Sequence, residues 1–164
     1  MHYYCLFCET QRCRTIAELI RRTTAYRSIC PEMIQRKWVR GQAREVRHAW
    51  LPGYIFLYTE EAISPWFSFL GIIRCLGKGE LEGQDLEFAR LIERNDGVMG
   101  TVHLAEVGDH CTISDPAWEG MQGTVIRMDR GRKRCEIAFE FDNQKHTVWV
   151  GYEIVKKEEK QGIN

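Results

Sequence analysis

Alternation of apolar and polar side chains is cleanest toward the C-terminus. Cys135, Ile137, Phe139 and Phe141 alternate with Glu136, Ala138, Glu140 and Asp142, the two-residue period of a strand with one wet face. Thr124 to Asp129 alternates too. Turns are expected at Arg130-Gly131-Arg132 and Asn143-Gln144, and His146 to Val150 adds another strand. With Cys111-Thr112-Ile113, four or five short strands at this spacing predict a small closed barrel. Upstream the period changes. Tyr3 to Cys8 reads as a buried strand, and Ile16, Leu19, Ile20 and Thr23 recur on one face of a helix over about Thr10 to Ala25, with Thr10 as its cap. Pro31 restarts the chain in extended form. Glu32 to Arg40 then reads as a strand that turns at Gly41-Gln42 and returns as Arg44 to Ala49, ahead of a strong strand, Tyr54 to Thr59. Ser64-Pro65 opens a short helix, Trp66 to Leu70, and Ile72 to Leu76 is a strand. Gln84 to Asn95 is an amphipathic helix with Leu86, Leu91 and Ile92 inward and Asn95-Asp96-Gly97 as its stop. Gly97 to Glu106 carries no period and reads as a linker.

The N-terminal elements thus follow the order β-α-β-β-β-α-β-α, which predicts one antiparallel sheet with helices packed on it. At 164 residues the chain can hold one ordinary domain or two small ones. The pattern favours two: residues 1–98, a linker over 99–106, an all-β unit over 107–155 and a polar tail over 156–164.

Charge changes the picture more than composition does. The formal net charge is zero, which argues against nucleic acid until its distribution is considered. Between Arg12 and Arg47 ten Lys or Arg face three acids, whereas from Glu60 to Asp96 eight acids face four bases. Arg127, Arg130, Arg132, Lys133 and Arg134 then crowd one short stretch, relieved only by Asp129. Segregated charge can present a basic face to phosphates in a neutral protein, although solvated helix and hairpin faces show the same pattern.

Seven cysteines raise a metal or disulfide reading, and Cys5-x2-Cys8 has ligand-like spacing. Both lie in the predicted first strand, where residues three apart point to opposite faces, so they read as reduced apolar side chains and no metal or cofactor is expected. His48, His103, His110 and His146 are scattered without ligand spacing. No Cys-His-acid constellation, phosphate loop or paired carboxylate stands out, and the chain reads as a non-enzyme. No apolar run approaches the roughly 18 residues that span a bilayer, and the N-terminus lacks the blocks of a signal peptide, so a cytoplasmic monomer is expected.

Two signals carry a family resemblance. One is Trp50-Leu51-Pro52-Gly53-Tyr54-Ile55-Phe56-Leu57; the other is Val107-Gly108-Asp109 leading through Gly120 and Gly123 into Thr124-Val125-Ile126. In this order they resemble the NusG family of bacterial transcription elongation factors, over about residues 1–155. The opening Tyr4-x-Leu6-Phe7-x-Glu9-Thr10 is most similar to the specialised LoaP antiterminator type. The resemblance implies an α+β chain: an RNP-like α/β domain, then a KOW barrel of SH3-like form.

It further implies that Tyr4, Trp50, Leu51, Pro52 and Tyr54 receive the clamp helices of RNA polymerase, whereas the Leu51–Phe56 run by itself reads as a strand entry whose apolar residues all face the core. Trp66 and Phe67 would approach the polymerase lobe opposite, or simply pack beneath the sheet. Arg12, Arg14, Arg21 and Arg22 would lie near non-template DNA. Arg127, Arg130, Arg132, Lys133 and Arg134 would grip a hairpin in nascent leader RNA through phosphates and shape. Trp118 and Met121 fall in the loop that contacts ribosomal protein or the Rho terminator in the housekeeping factor; Trp118 equally suits a barrel lid. Ile137, Phe139, Val148, Trp149 and Val150 favour strand, so a permanent barrel is expected rather than the helical pair of RfaH-type relatives. The implied function is processive elongation and antitermination. The alternative is a stand-alone KOW-containing RNA-binding or ribosome-associated protein that does not bind polymerase.

Overall fold

The computed structural model describes residues 1–64, 71–77 and 79–155. In chain order the elements are β1 (His2–Cys8), α1 (Cys13–Thr23), β2 (Arg27–Ile29), β3 (Glu32–Val39), β4 (Gln42–Ala49), β5 (Tyr54–Thr59), β6 (Ile72–Cys75) and α2 (Gly83–Arg94). There follow β7 (Val98–Met99), β8 (Val102–Val107), β9 (His110–Ile113), β10 (Thr124–Asp129), β11 (Arg134–Phe141) and β12 (Gln144–Ile154). The strands make three sheets, ordered β2-β5-β1-β6, β4-β3-β7 and β10-β11-β12-β8-β9.

β1 and β5 pair antiparallel from His2↔Thr59 to Phe7↔Tyr54 and form the centre of the four-stranded sheet. Every residue of β5 is buried, because both faces of this sheet are covered. One face carries Tyr4, Leu6, Cys8, Ile55 and Leu57 against Cys13, Ile16, Ala17 and Ile20 of α1. The other carries Cys5, Tyr54, Phe56 and Tyr58 into a larger core that includes Phe88, Leu91 and Ile92 of α2 and reaches Phe139, Phe141 and Tyr152. Gly53 enters β5 at φ +91°, and a Cβ there would meet a Phe7 ring carbon at 2.8 Å.

The expected α/β domain with several packed helices, followed by a separate KOW barrel, is not the fold found. The described chain is mostly strand, with two α-helices and three sheets, the last of which curls nearly into a barrel. Two physical reasons account for the difference. The strands β3 and β4 are too polar to join the central sheet and form their own ribbon, which β7 extends in parallel from Glu32↔Val98. In addition, aromatic residues of β11 pack directly on α2 and β5, so one core runs through both halves.

Local expectations shift as well. Thr10–Arg12 is a 3-10 turn and Thr10 caps nothing with its side chain. Leu19, expected inward, is exposed, and Ala17 takes the buried place. The stretch expected as a linker forms β7 and β8, the latter pairing in parallel with the end of β12 from Val102↔Tyr152. The hairpin turns fall at Arg40-Gly41 and Asp142-Asn143, one residue earlier than expected, all four residues having positive φ. The helix expected over Trp66–Leu70 and the tail 156–164 lie outside the described residues. Among the described residues no helix is long and apolar enough to cross a membrane.

Phe88 touches both halves of this core, with ring centroids 5.5 Å from Phe139, 5.0 Å from Phe141 and 5.1 Å from Trp50. Phe88→Ala is expected to cost about 3–5 kcal/mol and to lower a single urea midpoint seen alike by fluorescence and circular dichroism. Two separated transitions, only one of them moved, would show instead that the halves fold independently.

Candidate functional site

The Trp50–Tyr54 run is placed by the Gly53 turn between β4 and β5, and its apolar side chains face inward. Trp50 is 5 %, Leu51 3 % and Tyr54 4 % exposed; Pro52 is open to solvent. Trp50 lies against Phe88, Trp118 and Phe139, with centroids 5.1, 5.5 and 5.8 Å away. Its indole N–H is buried without an acceptor among the described residues. Tyr54 stacks edge-on against Phe141 at 5.2 Å. The surface expected to receive polymerase is therefore a continuous aromatic patch, but in this structure β11 and the loop before β10 cover it. Tyr4 lies on the opposite face of the sheet, where its hydroxyl accepts from the Ile63 amide at 3.0 Å. Trp66 and Phe67 lie outside the described residues.

The edge of this cover is polar and converges on Asp142, in the β11–β12 turn. Arg74 donates to both carboxylate oxygens of Asp142, and the Tyr54 hydroxyl donates to Oδ2 at 3.1 Å. The Asp142 amide in turn donates to Asp85 Oδ1 of α2 at 3.3 Å. Burial raises the Asp85 carboxyl above its ordinary range, and burial first, then the Asp142 charge, pushes the Tyr54 phenol up to about 12. The Asp142 hydrogen bond keeps Arg74 firmly charged.

Trp118 and Met121, expected in a partner-contacting loop, are 3 % and 0 % exposed. Trp118 packs on Trp50, and what the loop leaves open is a groove of about 630 Å³ lined by Ile113, Asp115, Pro116, Gly120 and Gly123.

The expected basic residues divide into two kinds. Those of α1 and its approach are exposed but engaged internally: Arg12 with Glu9 at 3.0 Å, Arg14 with Glu32 at 2.9 Å and Arg22 with Glu18 at 2.6 Å, while Arg21 donates to the Ser28 carbonyl. In the β10–β11 turn, Arg134 is held by Asp129 at 3.2 Å and lies 4.7 Å over the Trp149 ring. Asp129 also accepts from the Arg132 amide, which lowers its pKa and shapes the turn. Arg127 pairs with Glu136 at 3.4 Å and Arg130 with Glu106 at 3.5 Å. Arg132 and Lys133 project without an ion-pair partner among the described residues.

Sequence reasoning passed over the β3–β4 hairpin as a site. Every residue from Arg36 to Glu45 is exposed, and Trp38, at 78 %, is the most exposed of the large apolar side chains described. The missed signal was present: a tryptophan amid Arg36, Lys37, Arg40 and Arg44 in a strand too polar for a core.

Among the described residues no group of three or more His, Cys, Asp or Glu is arranged to hold an ion. Cys5 and Cys8 face opposite cores, as strand geometry requires. Cys13, at the start of α1, lies 3.4 Å from Cys30, sulfur to sulfur. Hydrogen bonding from Cys30, then from Cys8, with Arg14 nearby, brings the Cys13 thiol down to about 7. Burial raises Cys8 to about 12, and the bond to Cys13 holds Cys30 protonated.

One thiolate, centred on Cys13, is thus expected. Its folded pKa is lowered, so the stability it contributes is present above the ordinary thiol pKa and lost as pH falls through about 7. Ultraviolet thiolate titration is expected to show one early-ionising group that moves upward in Cys30→Ala. A curve unchanged by that substitution would mean that Cys30 does not stabilise it.

No protein-family model and no curated protein matches the chain, so what it does is read from this geometry.

Proposed function

We propose that this chain is a non-catalytic transcription elongation and antitermination factor. Its Trp50–Tyr54 surface docks on the clamp helices of a bacterial RNA polymerase, and the turn Arg130–Arg134 contacts a hairpin of nascent RNA. The observation that carries this reading is Trp50, a nearly buried indole whose N–H has no acceptor among the described residues. An orphaned buried donor costs about 1–3 kcal/mol, so the covered patch is not satisfied by its own cover. The cover comes from the C-terminal third and is fastened at its rim by Asp142, through Arg74 and Tyr54. On this reading the structure is the closed, resting form; polymerase competes for the patch and binds the open population. Apolar depressions that receive helices are a common recognition mode.

One observation favours the second reading, an RNA-binding or ribosome-associated protein that never binds polymerase. As folded, Trp50, Leu51 and Tyr54 are inaccessible while Arg130, Arg132 and Lys133 stand in solvent.

Asp142→Asn separates the two. Asparagine accepts the positive φ of 54° at this turn but removes the charge that Arg74 grips. Affinity for an RNA polymerase elongation complex is expected to rise roughly two- to tenfold, the scale of losing one partly exposed ion pair. If neither wild type nor Asp142→Asn is retained on the elongation complex, while both bind an RNA hairpin, the second reading replaces the first.

A further inference from the structure

The β3–β4 ribbon reaches into solvent. Its base is anchored: Met33 is fully buried, and Gln35 donates through Nε2 to the Trp149 carbonyl at 2.8 Å. Beyond Gln35 none of the described residues covers it, and each residue of the outer ten, Arg36 to Glu45, is exposed. Directly opposed residues share a face, so the register places Ile34, Arg36 and Trp38 beside Arg47, Glu45 and Ala43. The small Ala43 opposite Trp38 leaves the indole unshielded. The other face carries Lys37 opposite Arg44, and the turn itself adds Arg40. Glu45 is the single acid of this outer stretch, and Arg36, Lys37, Arg40 and Arg44 have no ion-pair partner among the described residues.

An open tryptophan is costly to leave in water, and four close cations repel one another. Both penalties vanish against one class of ligand. We propose that this hairpin binds a single-stranded segment of nucleic acid, with an unpaired base stacked on Trp38, the flanking phosphates held by Arg36 on the same face and Arg40 at the turn, and Lys37 and Arg44 adding positive field from the other face. A base presents an aromatic face wherever the strand is unpaired, and an exposed indole between cations matches that face-plus-phosphate pattern. A bare duplex offers no such face, because its bases are stacked on one another. The indole's cross-strand neighbour, Ala43, has no polar side-chain atom, so the stack itself does not separate DNA from RNA. The inference stands on the hairpin alone, without the polymerase reading.

The test measures quenching of tryptophan fluorescence and affinity with oligo-dT, oligo-rU and a blunt DNA duplex of equal length. Wild-type protein, Trp38→Phe, Trp38→Ala and Arg36→Gln/Arg40→Gln are compared, all changes at exposed positions. Expected are binding of both single strands, about tenfold loss in Trp38→Ala, and recovery of most of it in Trp38→Phe. The double glutamine variant should flatten the salt dependence by about 0.7 per cation removed. Wild-type affinity in Trp38→Ala overturns the proposal, as does preference for the duplex, which would make the ribbon a groove binder. Self-association through Trp38, seen as a dimer that Trp38→Ala dissolves, overturns it too.

Discussion

The constraint on which the rest of the structure depends is the aromatic contact between α2 and β11. Phe88 stacks almost parallel to Phe139, with 9° between the rings, and meets Phe141 and Trp50 from other sides. Each such pair adds about 0.5–1.5 kcal/mol beyond the area it buries. The contact fuses what the chain order presents as two units. It also fixes where the five-stranded sheet can sit, since moving that sheet exposes Trp50, Phe88, Phe139 and Phe141 together. Everything else at this junction, including the turn at Asp142, is arranged around keeping those rings dry.

The polar rim differs in kind from the aromatic centre. Asp142 gathers Arg74 and Tyr54 on its carboxylate, and its backbone amide donates to Asp85, at the edge of an apolar contact. Burial raises Asp85, which makes its ionised form costly and leaves the rim sensitive to charge. With the unpaired Trp50 indole beside it, the junction combines strong apolar packing with incomplete polar satisfaction. Such a contact holds in water yet leaves a partner something to gain, which is why the closed arrangement supports the polymerase reading rather than simply opposing it.

Much of this was legible in the sequence where the signal was local. The alternation through Cys135, Ile137, Phe139 and Phe141 gave β11 its buried face, and the unbroken apolar run of β5 announced a strand covered on both sides. What was not legible depended on distant partners. Val98-Met99 and Val102 to Val107 have no period of their own, and they become strands because β3 and β12 offer free edges. Likewise nothing local says that Trp50 and Trp118, far apart in the chain, meet at 5.5 Å; that meeting turns an expected docking surface into an interior. The α1 arginines were identifiable as exposed, but their capture by Glu9, Glu32 and Glu18 was not.

That capture decides where positive charge is available. A cation already paired to a carboxylate must break one contact to make another, so its gain on meeting a phosphate is small. Arg12, Arg14 and Arg22 are of this sort, as are Arg127, Arg130 and Arg134. Among the described residues, cations without an ion-pair partner include Arg36, Lys37, Arg40 and Arg44 on β3–β4, Arg132 and Lys133 on β10–β11, and Lys145 beside the β11–β12 turn. Ribbon tips carry little apolar burial, so charge there costs the fold almost nothing, whereas the same charge nearer the core would need an acid beside it. A chain neutral overall thus carries unspent charge at projecting hairpin ends, and a long flexible strand of phosphates can meet it there without disturbing the aromatic core.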